Sequence, residues 1–332
     1  RQRASIAHKG PIQEVAFSPD ARLLAASFGH IDPGSDRTVG AASLIDVTTG
    51  RIIASVAHTG NVNKVAFSTD SRLLATASND GTVGLVETAT RRELKRITHQ
   101  DAVGSLSHSP DGKLLATSSI DGSLRLIEAR TGRLLAQMAH DDSINNLAFS
   151  PDGRLLASIS GSYSSRTGEA RIFEVATGSE LGRFHHQGSV DALAFSPDGR
   201  ILATGSNDKT VRLMEVGKAA DLMRLPQETE FRSVSFSLDS RSLVMGITDG
   251  TARLIEALTG RELRRFAHNN KVNAVVLSPN GRLLATGSGY FDEEGSKQVG
   301  EARLIEVATG RVLAQVGSPT FQVGSLRSSL PA

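Results

Sequence analysis

Six histidines recur at one place in this chain: His8, His58, His99, His140, His186 and His268 each stand ten residues before a serine. Aspartates recur at a second place, Asp80, Asp121, Asp208 and Asp249, with hydroxyls close by at Ser78, Ser119 and Ser206. Imidazoles ligate metals, but ligands must converge to about 2 Å on one ion, and here each histidine belongs to a different repeat. A His–Ser–Asp set also resembles a hydrolase relay. Hydrolysis needs one exposed, asymmetric nucleophile, whereas a set repeated along the chain serves packing. No Gly-x-Ser-x-Gly elbow stands out. These histidines and aspartates are therefore expected to be structural, with no catalytic residue, metal or cofactor. Arg125, Arg171, Arg212, Arg253 and Arg303 recur three residues before an acid. They suit either a phosphate grip or ion pairs with the nearby carboxylates, and the second reading is favoured. The run Asp292-Glu293-Glu294 lacks the spaced acids of a calcium loop and reads as a solvated turn.

The elements that must position these residues repeat with them. The serine recurs at Ser18, Ser68, Ser109, Ser150, Ser196, Ser237 and Ser278, at successive gaps of 50, 41, 41, 46, 41 and 41 residues. An acid closes each repeat at Asp46, Glu87, Glu128, Glu174, Glu215, Glu256 and Glu306, always 22 residues before the next serine. Length variation is thus confined to the serine-to-acid segment, where repeats one, four and seven carry insertions of 9, 5 and 9 residues. In Ser196 to Glu215, Pro-Asp-Gly makes a turn, Ile201 to Ser206 is a short apolar strand, Asn207-Asp208-Lys209 is a second tight turn, and Val211 to Glu215 is a second strand. With Val190 to Phe195 before it and a strand after the Thr-Gly turn, each repeat holds four strands. Four strands in about 40–45 residues is the period of a propeller blade. The Gly and Pro spacing leaves no stretch of about 12 residues for a helix.

The repeats resemble the WD-repeat β-propeller family. Ser-Pro-Asp-Gly-Arg-Leu-Leu-Ala at 150–157, and its counterpart at 109–116, match that family's first hairpin. The six histidines match the family's His before the innermost strand, and Asp80, Asp121, Asp208 and Asp249 match the Asp of the turn between the second and third strands. The family's Trp is replaced throughout, by Ile45, Val86, Ile127, Phe173, Met214, Ile255 and Ile305. An indole donor is lost each time, so cohesion is expected to lean on aliphatic packing between blades. The resemblance implies an all-β, seven-bladed antiparallel β-propeller of four-stranded blades, with eight blades or a longer array as the alternative. One domain over 1–332 is expected, with a spare outer strand at 1–7 and a spare inner strand at 320–326. Either spare could close the ring by strand exchange.

Composition narrows the function. A net charge of +2 over 332 residues gives no strong field for nucleic acid or an anionic membrane. No run of about 18 apolar residues appears. The absence of Cys excludes disulfides and thiolate sites and fits the cytoplasm. The chain opens on Arg, as expected of a fragment or a processed protein.

Function is expected where the copies differ. The insertions carry His30, Asp32 and Arg37 in repeat one, Tyr163 and Arg166 in repeat four, and Tyr290, Phe291, Asp292 and Glu293 in repeat seven. Aromatics on loops of a rigid scaffold suit binding, although three insertions returning through Gly-x-Ala equally fit a duplicated three-repeat block. A second candidate is the residue after the first apolar position of each innermost strand: Gln13, Asn63, Gly104, Asn145, Asp191, Arg232 and Asn273, with Lys64 beside it. The expectation is a non-catalytic scaffold or sensor binding a protein or peptide on the face that carries the insertions. Alternatives are a small-ligand or enzymatic site at the channel mouth, or self-association through the spare strands. Resemblance to near-identical bacterial arrays implies the C-terminal module of a larger signalling protein.

Overall fold

The computed structural model describes residues 8, 10–32, 34–35, 37–162, 166–218, 220–226, 228–291 and 298–318. The expected spare strands at 1–7 and 320–326 lie outside them. The described residues form seven sheets of four antiparallel strands. The first holds β1 (Ile12–Phe17), β2 (Leu23–Asp32), β3 (Arg37–Asp46) and β4 (Arg51–His58); the second, β5 (Val62–Phe67), β6 (Leu73–Ser78), β7 (Thr82–Glu87) and β8 (Arg92–Thr98). The third holds β9 (Val103–His108), β10 (Leu114–Ser119), β11 (Ser123–Glu128) and β12 (Leu134–Ala139); the fourth, β13 (Ile144–Phe149), β14 (Leu155–Gly161), β15 (Gly168–Glu174) and β16 (Glu180–His186). The fifth holds β17 (Val190–Phe195), β18 (Ile201–Ser206), β19 (Thr210–Glu215) and β20 (Ala220–Pro226), and the sixth β21 (Phe231–Phe236), β22 (Ser242–Ile247), β23 (Thr251–Glu256) and β24 (Glu262–Ala267). The seventh holds β25 (Val272–Leu277), β26 (Leu283–Phe291), β27 (Gln298–Glu306) and β28 (Val312–Ser318). Each sheet runs in sequence order, as four-stranded meanders require. The chain divides into two compact units within β13, after Leu147.

The recurrent serine and acid are turn caps. Ser18 Oγ donates to Asp20 Oδ1 at 2.6 Å and accepts from Leu23 N at 2.9 Å, while Arg22 N donates to Asp20. The same ring of bonds recurs at Ser68, Ser109, Ser150, Ser196 and Ser237. The turn needs a left-handed residue, which is why Gly153 and Gly199 take φ of 70° and 72°. Where repeats one, two and six lack that glycine, Ala21, Ser71 and Ser240 are forced to φ of 57°, 60° and 60°. The closing acid holds the next turn: Thr49, Thr131, Thr177, Thr259 and Thr309 donate their hydroxyls to Asp46, Glu128, Glu174, Glu256 and Glu306.

The core lies between consecutive sheets. In the first compact unit one cluster joins Leu44 and Val56 to Val65 and Leu74, and another joins Leu85 to Leu106 and Leu115. In the second, clusters join Ile159 to Leu202, Leu213 to Phe231 and Met245, and Phe266 to Val275 and Leu284. The residues standing where tryptophan was expected are all buried, from Met214 at 0 % to Phe173 and Ile255 at 3 % exposure. Aliphatic packing therefore fills the place of the indole, at about 25 cal/mol per Å² removed from water.

Candidate functional site

The recurrent histidines are interior staples. His58, at the end of β4, sets Nδ1 3.1 Å from Asp80 Oδ2 and Nε2 2.9 Å from Thr76 Oγ1. A carboxylate at Nδ1 fixes the proton there, so Nε2 accepts from the threonine. Burial acts to raise the Asp80 carboxyl, but bonds from Thr82, the Thr59 N–H and the His58 charge outweigh it and hold it at about 2. His186 repeats the set, 3.2 Å from Asp208 Oδ2 and 2.9 Å from Thr204 Oγ1. His99 Nε2 meets Thr117 Oγ1 at 2.9 Å, and burial pushes its imidazole down to about 4. His140 is buried. Neither ring nitrogen of His268 has a hydrogen-bond partner among the described residues, and burial lowers it to about 4. His8 packs against Phe28 with the ring centroids 5.1 Å apart and the planes tilted by 49°. Asp121 accepts from the Ser123 N–H at 2.8 Å, and Asp249 pairs with Arg253 Nη2 at 2.6 Å.

The hydroxyl partner differs from the expected one. The histidines reach Thr76, Thr117 and Thr204, not Ser78, Ser119 and Ser206. Those serines end their strands, where each is claimed by the carbonyl of the preceding loop: Ser78 by Gly60, Ser119 by Asp101 and Ser206 by Gly188. The arginines that recur before the closing acids bind locally as well. Arg171 meets Glu169 at 2.6 Å, Arg303 meets Glu301 at 2.5 Å, and Arg125 donates to the Thr98 carbonyl at 2.7 Å.

The variable residue of the innermost strands proves to be a β-bulge. The β1–β2 register shifts between Ile12 and Glu14, the β5–β6 register between Val62 and Lys64, and the β9–β10 register skips Gly104. The same shift brackets Asp191, Arg232 and Asn273 in β17, β21 and β25. A bulged residue sits outside the ladder, so its side chain is re-aimed and its type is not set by a pairing partner.

The structure brings some of these residues together and spends others. Lys64 Nζ pairs with Glu14 at 2.9 Å, and the other Glu14 oxygen accepts from Val65 N at 2.8 Å, so Lys64 ties β1 to β5. Asn63 Nδ2 donates to Asn79 Oδ1 and to the Val103 carbonyl. Asn145 is exposed. In the second unit Asp191 and Arg232 lie on neighbouring strands, Oδ2 to Nη1 at 3.9 Å, with Arg232 Nη2 also 3.2 Å from Glu230. Ser189 Oγ donates to Asp191 Oδ1 at 2.9 Å. Burial nevertheless holds the Asp191 carboxyl above its usual range, against the Ser189 bond and the Arg232 charge. Asn273, on the next strand, directs Nδ2 to the Gly289 carbonyl at 3.4 Å. Ser189 and Glu230 escaped sequence reasoning, because both lie in connections before their strands.

In repeats one and seven the described insertion residues continue the strands. In repeat one they lengthen the β2–β3 hairpin, so that His30 pairs with Val39 and Asp32 with Arg37 across the ladder. His30 is half-buried against Phe28, with rings 6.5 Å apart, and its Nδ1 has no hydrogen bond. Asp32 caps the turn through Ser35 Oγ at 2.7 Å. In repeat seven Tyr290 and Phe291 continue β26, opposite Val299 and Gln298. Arg166 is exposed with φ of 51°. Tyr163, Asp292 and Glu293 lie outside the described residues. Cross-strand glycine pairs at the root of each hairpin, Gly29↔Gly40, Gly161↔Gly168 and Gly289↔Gly300, explain the shared return sequence. A Cβ on Gly40 would overlap the Gly60 carbonyl, and one on Gly168 the Gly188 carbonyl.

Known proteins carry the same architecture. A computationally designed protein of known crystal structure, Ika8, superposes with a TM-score of 0.78 at 22 % identity, covering 97 % of this chain and 91 % of that one. No curated protein matches the sequence. The family profile described as WD domain, G-beta repeat matches residues 2–39, 50–85, 91–128, 132–173, 178–214 and 260–292. It passes over residues 215–259, which the structure nonetheless folds into β20 to β23. With most of its length matched, and seven four-stranded antiparallel sheets in the fold, the chain belongs to the WD40 repeat family of β-propellers.

Proposed function

We propose that this chain is a non-catalytic interaction module that binds a protein or peptide at the bulged ends of its innermost strands. WD40 propellers generally act as protein-interaction scaffolds. The observation that carries the reading is in the bulge row of the second unit, where Asp191, Arg232 and Asn273 share one structural position on three successive innermost strands and Asp191 Oδ2 has no hydrogen bond among the described residues. Asp191 and Arg232 offer opposite charges 3.9 Å apart, which suits a polar peptide segment aligned across the strands. The hairpins of the fourth and seventh sheets, in the same unit, extend from the same ends of their sheets and supply flanking contacts.

The buried His–Thr–Asp sets support a scaffold rather than a catalyst, since their hydroxyls are buried and already bonded. The similarity among repeats fits a sensor module at the C-terminal end of a larger cytoplasmic signalling protein, with neither nucleic acid nor membrane as partner.

The test is affinity capture from the source cell, comparing wild type with an Asp191→Ala, Arg232→Ala, Asn273→Ala triple variant whose circular dichroism matches. A specific partner that the triple variant loses supports the proposal. A partner retained in full by the triple variant and by a hairpin-truncated variant overturns it.

A further inference from the structure

Consecutive sheets pack on one another by one repeated pattern. In the first compact unit Ala42, Leu44 and Val56 of the first sheet close on Val62 and Val65 of the second. In the second unit Ala252, Leu254 and Phe266 of the sixth sheet close on Val272 and Val275 of the seventh. Each interface joins a face built by the third and fourth strands of one sheet to the innermost strand of the next.

Two faces of this kind stand open to solvent. On the seventh sheet Ala302 pairs with Val316 across the ladder, just as Ala42 pairs with Val56 on the first. Val316 is 72 % exposed, whereas Val56 and Phe266 at the same position are each 5 % exposed. Ala302 and Leu304 are half-buried, although Ala42, Leu44, Ala252 and Leu254 are buried. β28 carries no charged residue that would repel an apolar neighbour. On the first sheet Val15 is 41 % exposed and Ile12 is half-buried, whereas their counterparts Val65 and Val62 are 4 % and 0 % exposed. Contiguous apolar surface of this kind marks an interaction site.

The repeat itself says what covers these faces. Ala302, Leu304 and Val316 reproduce the Ala42, Leu44 and Val56 set, and Ile12 and Val15 reproduce the Val62 and Val65 set. The two open faces are therefore the two halves of the interface already seen between consecutive sheets, and the surface that fits a seventh sheet is a first sheet of this chain.

We propose that the seventh sheet of one copy packs on the first sheet of a second copy, head to tail, burying Leu304 and Val316 against Ile12 and Val15. Such a contact uses a different face on each copy, so association continues beyond the dimer or closes into a ring. It involves neither Asp191 nor Arg232, so this proposal and the peptide-binding reading can fail independently.

Sedimentation of the intact protein over a range of concentrations, with Val15→Glu and Val316→Glu, tests this. Both side chains are exposed, so both variants are expected to fold. Wild type should associate beyond the dimer as its concentration rises. Each variant alone should associate about a hundredfold more weakly, because a carboxylate would be forced into an apolar contact. Mixed in equal amounts, the two variants should form a dimer and nothing larger, since Val15→Glu keeps an intact seventh sheet and Val316→Glu an intact first sheet. The proposal is overturned if wild type stays monomeric at every concentration, as it would if residues 320–326 of the same chain covered the seventh sheet. It is also overturned if Val15→Glu associates as strongly as wild type, since two seventh sheets would then be meeting each other, or if the mixture of variants forms no dimer.

Discussion

His108 is the residue whose replacement should stabilise this protein. It precedes the turn serine of repeat three, where other repeats carry Phe17, Phe67, Phe149, Phe195, Phe236 and Leu277. The residue is 9 % exposed and neither ring nitrogen makes a well-formed hydrogen bond among the described residues, although the Leu114 carbonyl lies close enough to favour a proton. A buried polar group without partners costs about 1–3 kcal/mol, and His108→Phe removes that cost while filling the site with the repeat's own side chain. A gain of about 2 kcal/mol at pH 7 is expected. The pH dependence adds a second signature. Burial pushes the imidazole down to about 4, with the Asp70 charge opposing only in part. The folded value lies below the ordinary 6.5, so the neutral ring's contribution is complete above pH 6.5 and drains away as the pH falls toward 4. At about 1.36 kcal/mol per unit, wild type should lose about 2 kcal/mol between pH 7 and pH 5 through this residue alone. The phenylalanine variant should lose none of it. Urea denaturation of both proteins at pH 7 and pH 5 measures the gap, which should roughly double. A gap that stays constant with pH, or a variant less stable than wild type, would refute the reasoning.

Gly40→Ala should prevent accumulation of folded protein or cost several kcal/mol, since its Cβ would meet the Gly60 carbonyl, whereas Gly217→Ala, with open space around it, should be neutral or stabilise by about 0.4–1 kcal/mol. Thermal scans of the two variants decide the matter, and equal effects would count against the close approach. Asp80→Asn removes a carboxylate that is held at about 2 and that organises His58, Thr59 and Thr82. Loss of this buried cap should cost about 1–3 kcal/mol at pH 7. Because the folded value is depressed, the carboxylate's contribution is complete above about pH 4 and fades as the pH falls toward 2. The difference between variant and wild type should therefore shrink in acid, and a difference unchanged at pH 2.5 would disprove the assignment.

The sequence made the blade legible because each repeated residue meets a local demand. Ser and Asp close the first turn, a left-handed residue completes it, and the acid with its threonine closes the third. These bonds span five residues or fewer, so spacing alone reveals them. Legibility ended where partners come from elsewhere in the chain. His58 reaches Thr76 rather than Ser78 because a loop carbonyl, invisible to spacing, has taken the serine. The insertions look like loops in sequence, since their glycines suggest turns. In repeat one the insertion folds as hairpin, because its glycines are paired across strands and allow a neighbouring backbone to approach. Lys64 resembles an exposed recognition residue, yet it serves Glu14 of the preceding blade.

The bulge bears on how variation among repeats is read. A residue outside the ladder can change without disturbing pairing, so variability at Gln13, Asn63, Gly104, Asp191, Arg232 and Asn273 follows from geometry alone and does not by itself identify a binding surface. Energetic cost separates the cases. Asn63 is bonded within the fold and Gly104 makes no demand. Asp191 is different: burial raises its carboxyl, Oδ2 has no hydrogen bond, and its counter-charge on Arg232 stands 3.9 Å away while that guanidinium also serves Glu230. An asparagine would keep an acceptor for Ser189 and forgo only the long pair with Arg232. Local destabilisation of this kind is the signature of a site whose residues are chosen for something other than packing. A donor from a bound partner, placed against Asp191 Oδ2, would relieve it. Asp191→Asn should therefore leave the free protein as stable as wild type or more so, while weakening capture of the partner. A variant less stable than wild type with capture intact would return Asp191 to the scaffold.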